Sequence, residues 1–180
     1  YMQHPLFATD EHALQLFLYY DDFCAVNPLR TGTAKKYKIA ALYFTLGNIQ
    51  QQNRSRLYGI YVAALCFSSA IRKCGFDEVL KPIMYDLTVL GTEGVTVNRR
   101  DGMFTFKGAL SVVVADNLAA HAIGGFVESF TAIHPCRFCL ISRQNIGCEF
   151  VSDVDKLRTP ETLKRQVSLV ERDFSFQSIY

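Results

Sequence analysis

The sequence has no apolar stretch that reaches the roughly 18 uninterrupted residues that a membrane-spanning helix requires. It also lacks an excess of either charge. Its 19 basic and 17 acidic side chains leave a net charge of +2, so the chain as a whole carries no strong signature of nucleic-acid binding. No secretory leader precedes its six cysteines, and a reducing compartment fits them better than a disulfide scaffold. We therefore expect a soluble protein in which any contact with DNA depends on local basic clusters.

The composition is that of a chain that folds. Of the 180 residues, 49% are hydrophobic and 20% are charged, far from the low-hydrophobicity, high-charge regime of disordered chains. This length supports one globular domain with a real core and is short for two. Because the chain opens at Tyr1, with Met2 behind it, and closes on Tyr180 without a clear end to the local pattern, we expect an excerpt or a decayed copy of a longer protein.

Three strands are predicted in the first part of the chain. Residues 14–20 are aliphatic and aromatic and are followed at once by Asp21 and Asp22, which indicates a buried strand that delivers carboxylates at its end. Residues 37–46 and 60–67 are predicted to be the next two strands. Their short connections favour an antiparallel meander.

A helix and a hairpin are predicted in the middle of the chain. Apolar residues recur every three or four positions in residues 69–90, as they do on one face of an amphipathic helix. Because Pro82 disturbs the first turns of this helix, we expect a start near Asp77 or a kink. A short hairpin is predicted over residues 95–106, with Asp101 and Gly102 in its turn.

A further strand and two helices complete the prediction. Residues 110–115 form a nearly continuous β-branched run, as expected of a central strand covered on both faces, and the run ends in Asp116. Asp116 or Asn117 can cap a short helix that runs through His121. A second helix is expected to start at Pro160, after a cysteine-bearing loop.

The order strand, strand, strand, helix, strand predicts an α/β fold with a mixed sheet, in which three antiparallel strands precede a helix and a further parallel strand. This order resembles that of the ribonuclease H-like nucleases and integrases, in which the first and fourth strands lie side by side. In such a fold Asp21 and Asp116 converge on one point, where carboxylate oxygens hold hard divalent cations. The alternative is that these acids, with Asp22, only end strands or cap turns.

Several segments resemble the CACTA/EnSpm family of DNA transposases. Residues 20–23 (YDDF) and 27–29 (NPL) are similar to the Asp-Gly-Phe-Asn-Pro-Phe-Gly segment around the first catalytic Asp of that family. Residues 114–117 (VADN) and 136–139 (CRFC) are similar to its Asn-Asp segment and to its Cys-Pro-x-Cys motif. The similarity covers about residues 14–145.

The resemblance implies a polynucleotidyl transferase core in which Asp21 is the first metal ligand and Asp116 the second. The implied cofactor is Mg²⁺ or Mn²⁺ at a two-metal site for phosphodiester cleavage and strand transfer. Asp22 stands where the family has Gly and is the alternate ligand. The third acid of the family is not placed, and the acids available for it here are Glu149, Glu161 and Glu171.

The same resemblance implies partners and a domain division. The partners are the DNA of transposon ends and of the target, in the nucleus, with a homo-oligomer as a further expectation and no membrane. Residues 1–131 are predicted to be a partial catalytic core with a ribonuclease H-like fold. Residues 132–180 are predicted to hold the cysteine-bearing loop and the start of a helical insertion.

The pair Cys136 and Cys139 has the spacing of half a tetrahedral zinc site, and an incidental or redox role is the alternative. The candidates for completing a zinc site are His121, His134 and Cys148. The other cysteines fall in or beside apolar segments and are predicted to be buried small hydrophobes, namely Cys24, Cys66 and Cys74.

Basic residues cluster in loops, where they can contact phosphates or remain solvated. The clusters are Arg30, Lys35, Lys36 and Lys38 around a turn predicted at residues 27–33, then Arg54 and Arg56, then Arg99 and Arg100. The predicted DNA-binding residues are Lys35, Lys36, Arg54 and Arg56. The aromatic run Phe17, Tyr19, Tyr20 and Phe23 is predicted to be core. Besides an active transposase, two alternatives stay open: an inactive DNA- and zinc-binding remnant, and an interaction domain with no nucleic-acid role.

Overall fold

A computed structural model of the protein describes residues 4–24, 38–148 and 156–172. The chain divides into two compact units, Tyr1–Asp116 and Asn117–Tyr180. In chain order the elements are α1 (Leu6–Thr9), β1 (Leu14–Cys24), β2 (Lys38–Leu46), α2 (Gln51–Arg54), a 3-10 turn (Leu57–Gly59), β3 (Tyr61–Phe67), α3 (Ser68–Cys74), α4 (Asp77–Thr92), β4 (Val95–Arg99), β5 (Gly102–Phe106), β6 (Gly108–Ala115), α5 (Asn117–Ile123), a second 3-10 turn (Arg143–Asn145) and α6 (Pro160–Arg172).

The first unit is built on a mixed four-stranded sheet in the order β3-β2-β1-β6. Strand β1 pairs antiparallel with β2, and β2 pairs antiparallel with β3. Strand β1 pairs parallel with β6 on its other side. Strands β4 and β5 form a separate two-stranded hairpin. The predicted mixed α/β sheet with one parallel pair is therefore confirmed.

The core of this unit lies along β1 and β2. Alternate residues of a strand share a face, and Leu18 and Tyr20 are accordingly buried together on β1. Their partner strand contributes Leu42, which pairs with Tyr20 and is fully buried. The Tyr20 ring also packs edge-on against Phe76, just before α4, with ring centroids 5.1 Å apart. The face of the sheet that carries Leu18 and Tyr20 is therefore the one covered by α4.

Two helices occupy the segment for which the sequence predicts one. Gly75 lies between α3 and α4 with φ at 84°. This left-handed backbone conformation is open to glycine and strained for other residues. Helix α4 starts at Asp77, as predicted, and includes Pro82. A side chain at Gly108 would place its Cβ 2.9 Å from the Leu90 side chain. Glycine at the start of β6 thus lets α4 lie close to the sheet.

The position of strand β6 in the sheet differs from the prediction for residues 110–115. It is an edge strand of the sheet in the described part of the chain, not a central strand covered on both faces. Its residues Val112, Val113 and Val114 are 37%, 41% and 39% exposed. A β-branched run is typical of buried parallel strands, but it does not say how many neighbours the strand has.

The exposure or position of several single residues also differs from the prediction. Phe23 is 45% exposed near the end of β1, which continues to Cys24. Asp21 and Asp22 accordingly lie inside β1 and not after it. Cys74 is exposed at the end of α3, and Cys24 and Cys66 are half-buried.

The second unit is held together around Arg158. Its guanidinium donates from Nε to the Cys136 carbonyl at 3.0 Å and from one terminal nitrogen to Gln166 Oε1, on α6, at 2.7 Å. The other terminal nitrogen reaches the His134 carbonyl at 3.3 Å. Because these acceptors come from the cysteine-bearing loop and from α6, one side chain ties the two segments together. The predicted boundary after Thr131 lies inside this unit.

Among the helices in the described ranges, none has both the length and the apolar character needed to cross a bilayer.

Replacing Leu42 with Ala is expected to lower the free energy of unfolding by about 2–5 kcal/mol, because loss of the fully buried side chain leaves a cavity on the covered face of the sheet. Urea denaturation followed by circular dichroism measures the change. Leu57 is 90% exposed, and Leu57→Ala is the matched control, with an expected change within about 0.5 kcal/mol. Equal effects of the two variants would contradict the placement of the core.

Replacing Arg158 with Ala is expected to cost about 1–3 kcal/mol, because it leaves the acceptors of this side chain without their donor. Arg165→Ala on the exposed side of α6 removes the same charge without those hydrogen bonds. Thermal unfolding of both variants tests the difference. A melting temperature that falls equally for both would show that charge, and not the hydrogen bonds, matters here.

Candidate active site

The parallel pairing of β1 and β6 brings two acids from distant parts of the sequence to adjacent positions. The register pairs Tyr20 with Ala115, so the next residues along the two strands are Asp21 and Asp116. Neighbouring strands lie about 4.8 Å apart. This separation is within reach of a single ion held by two carboxylates.

The register also indicates on which face of the sheet each acid lies. Register partners in a parallel pair point to the same side, and successive residues alternate sides. The face of Asp21 therefore carries Phe17, Tyr19 and the paired Val114. Asp116 is the first residue after β6, and the same alternation continued by one position puts it on this face. An irregularity between Leu16 and Phe17, where β6 contributes one extra residue, sets this alignment.

Asp22 lies on the opposite face, which α3 and α4 cover. Its Oδ1 accepts hydrogen bonds from the Tyr20 hydroxyl at 3.0 Å and from the hydroxyl of Ser68 at 2.8 Å. Ser68 is the first residue of α3 and is only 4% exposed. Asp22 thus links the start of α3 to β1 through hydrogen bonds, whereas Asp21 lies on the other face. The sequence-based preference for Asp21 over Asp22 as a metal ligand stays a prediction.

Tyr43 shares the face of Asp21. Its ring stacks on Tyr19, with centroids 5.2 Å apart and planes 3° from parallel. Burial raises the pKa of the Tyr43 phenol, and the negative charge of Asp21 raises it further. The Asp21 carboxylate therefore lies near enough to Tyr43 for its charge to act on the phenol. The phenol stays protonated at neutral pH and can donate a hydrogen bond on this face.

Arg54 borders a depression of about 390 Å³ on the same face, lined also by Phe17, Tyr19 and Tyr43. Its guanidinium donates to the carbonyls of Gly47 at 2.6 Å and Ile49 at 2.7 Å. It also lies over the Phe17 ring, with Cζ 5.4 Å from the centroid. Arg54 therefore fixes the connection after β2, and this role accounts for its position without a phosphate.

The other predicted basic residues are dispersed. Arg56 is exposed after α2. Arg99 pairs with Asp101 at 3.3 Å and lies over the Phe104 ring at 5.3 Å, so it braces the β4–β5 hairpin. The predicted turn at residues 27–33 lies outside the described residues, as do Arg30, Lys35 and Lys36.

The chemistry of the acidic pair fits a hard divalent cation. Asp21 is exposed, and two carboxylates on one face suit Mg²⁺, which keeps several waters and is bound through one or two carboxylates together with substrate phosphates. In the described ranges no group of three or more His, Cys, Asp or Glu side chains is arranged to hold a metal. Of the candidates for a third acid, Glu161 and Glu171 are exposed on α6 of the second unit, and Glu149 lies outside the described residues.

The cysteine pair lies in the second unit. Cys139 is 7% exposed and Cys136 is half-buried. Burial raises the pKa of the Cys139 thiol. At Cys136 burial acts in the same sense, but hydrogen bonds from the Phe138 and Cys139 N–H groups, a hydrogen bond with the Cys139 thiol and the charge of Arg158 together outweigh it and lower the pKa of this thiol. The Phe138 nitrogen lies 3.3 Å from Sγ of Cys136.

The candidate partners of this pair make other contacts. His121 is buried, with Nδ1 3.0 Å from the Val127 carbonyl, and His134 has Nδ1 3.4 Å from the Ile141 carbonyl. Cys148 is exposed. Because the described residues contain no three-ligand group, a completed zinc site stays a prediction from spacing.

Neither Ser68 nor Tyr43 is recognisable from the sequence as a neighbour of the two adjacent acids. Ser68 is 46 positions from Asp22 along the chain, and no local pattern connects a hydroxyl to a carboxylate at that separation. Tyr43 is placed beside Asp21 by the β1–β2 register. A two-residue hairpin turn would have fixed that register from the sequence, but the connection here is longer.

Comparison with known proteins adds no family assignment, since no family model matches the sequence and no curated protein matches it significantly.

Proposed function

We propose that the first unit is the core of a ribonuclease H-like nuclease or strand transferase of the DNA transposase type. The observation that carries the proposal is the parallel pairing of β1 and β6 up to Tyr20 and Ala115, the residues directly before Asp21 and Asp116. Strand order and directions, with three antiparallel strands and then a parallel one, are those expected of that fold. The resemblance of residues 20–29 and 114–117 to the transposase segments supplies the substrate class, DNA.

Asp21 and Asp116 would hold Mg²⁺ or Mn²⁺ through carboxylate oxygens. A divalent ion in such a place supplies Lewis-acid activation of the attacking hydroxyl and stabilises the leaving oxygen of a phosphodiester. The protein contributes orientation. The rigid strand pair fixes the spacing of the two carboxylates, and the stacked Tyr19 and Tyr43 rings keep the neighbouring face apolar. The protonated Tyr43 phenol offers a hydrogen-bond donor to a phosphate oxygen near Asp21.

A second candidate is a DNA-binding remnant that has lost catalysis. The observation that favours it is the absence of a third acid beside Asp21 and Asp116 within the described ranges. Two-metal catalysis needs enough ligands to hold both ions, and a pair of carboxylates holds one ion more readily than two. Metal binding and cleavage, measured separately, distinguish the two candidates.

Asp116→Asn is expected to reduce Mg²⁺-dependent nicking of supercoiled plasmid by roughly a hundredfold or more, because a loss of several kcal/mol of charge stabilisation corresponds to such a factor. The change keeps the shape of the side chain and removes its charge. Asp21→Asn is expected to behave in the same way, since both carboxylates act on the same ion.

Asp22→Asn is the matched control, because Asp22 neighbours Asp21 and lies on the opposite face. We expect it to keep nicking activity within a few-fold and to lower stability, since it weakens the contact with Ser68. If Asp22→Asn abolished nicking while Asp116→Asn did not, the proposed site would be wrong.

Mn²⁺ binding, followed by electron paramagnetic resonance, tests the pair without requiring activity. The wild-type protein is expected to bind Mn²⁺, and Asp21→Asn or Asp116→Asn to weaken binding about tenfold or more, equivalent to 1.4 kcal/mol. Binding without nicking would favour the inactive remnant. Binding that is unchanged in both variants would place the ion elsewhere.

A further inference from the structure

The second unit contains a groove of about 700 Å³ on a part of the protein that the acidic pair does not use. Its described lining residues include two arginines, Arg137 and Arg143, and no acidic side chain. Two phenylalanines of the lining, Phe130 and Phe138, are 62% and 66% exposed. Exposed phenylalanine rings cost solvation free energy. Two such rings beside two arginines therefore favour a ligand with flat apolar surfaces and negative charge.

Phe138 and Arg137 are arranged as a stacking platform. The guanidinium carbon of Arg137 lies 4.6 Å from the centroid of the Phe138 ring. A hydrogen bond from Arg137 to Asn117 Oδ1, at the start of α5, holds the guanidinium in place. The ring follows Arg137 in the tight turn between Cys136 and Cys139, and the buried Cys139 anchors that turn. The platform is thus rigid on one side and open to solvent on the other.

The rest of the groove also combines an exposed phenylalanine ring with an arginine. Phe130 projects beside His121, whose ring centroid lies 6.4 Å away. Arg143 is exposed, and one of its terminal nitrogens donates to the Thr131 carbonyl at 3.2 Å. The remaining four N–H donors of the guanidinium have room for further acceptors. Two exposed rings and two cations in one groove offer contacts for both parts of a polynucleotide strand, the bases and the phosphates.

We propose that this groove binds single-stranded nucleic acid, with bases stacked on Phe138 and Phe130 and phosphates contacted by Arg137 and Arg143. Proteins that bind single strands without sequence preference combine aromatic stacking surfaces with a basic groove. Arginine adds cation–π contact with bases. Bases in a duplex are stacked on one another and cannot reach such rings, so the groove discriminates against duplex. The proposal does not require Asp21 or Asp116 and extends beyond the proposed cleavage.

The test is binding of a fluorescein-labelled oligothymidine to the whole protein, followed by fluorescence anisotropy in a buffer without added Mg²⁺ or Mn²⁺. Without divalent metal no strand is cleaved, so failure here and failure of the proposed nuclease are distinguishable. Phe138→Leu keeps an apolar side chain and removes the ring, and it is expected to weaken binding about tenfold, within the usual effect of one stacked base. Phe138→Tyr retains the ring and is expected to bind within about twofold of wild type.

The controls use residues outside the groove. Tyr85 is 70% exposed on α4 of the first unit, and Tyr85→Leu is expected to leave binding unchanged.

Arg143→Gln is expected to reduce the slope of log affinity against log salt by about 0.7, the value for one phosphate contact on a single strand. Arg165→Gln, on the exposed side of α6, is expected to leave the slope unchanged. Circular dichroism and melting temperature verify that each variant is folded.

Absence of oligothymidine binding at micromolar protein would overturn the proposal. So would duplex binding as tight as single-strand binding, which would mean that phosphate contacts alone are responsible. Equal loss of binding in Phe138→Leu and Phe138→Tyr would overturn the role of the ring. Weakened binding in Phe138→Leu alone, with the Tyr85 and Arg165 controls unaffected, would support it.

Discussion

The parallel pairing of β1 with β6 is the constraint on which the rest of the first unit depends. Parallel neighbours require the chain to leave one strand and return to the same end of the sheet through a long crossover. Here that crossover consists of β2, β3, α3, α4 and the β4–β5 hairpin. Helix α4 lies against β6, and the glycine at the start of β6 lets the two come close. The position of the two acids is therefore a product of the whole unit.

The division of labour between adjacent acids follows from strand geometry. Asp21 and Asp22 are identical in chemistry and differ by one position, yet the pleat sends them to opposite faces. One of them joins Ser68 and secures the start of α3. The other faces Tyr43, whose pKa its charge helps to raise. Strand alternation alone thus gives Asp22 a structural contact with α3 and leaves the Asp21 carboxylate available to bind a ligand.

Local patterns in the sequence predicted the elements well, and long-range features poorly. The start of α6 at Pro160 follows from the proline rule, and the Thr162 N–H donates to the Thr159 hydroxyl just before it. The runs that became β1, β2 and β3 were evident from their apolar content. The edge position of β6 was not, because β-branched composition reflects packing on two faces only on average. The roles of Arg54 and Arg158 were also missed. Each binds carbonyl groups that come together only after folding.

The single extra residue that β6 contributes opposite Leu16 and Phe17 decides which acid Asp116 accompanies. With an unbroken register, Ala115 would stand beside Asp21, and Asp116 would stand beside Asp22, facing α3. Side-chain substitutions within β6 preserve this parity, whereas a one-residue deletion reverses it for every position downstream. Related chains that keep the same chemistry on this sheet should therefore tolerate exchanges among the valines of β6 far more readily than any change in the length of that strand.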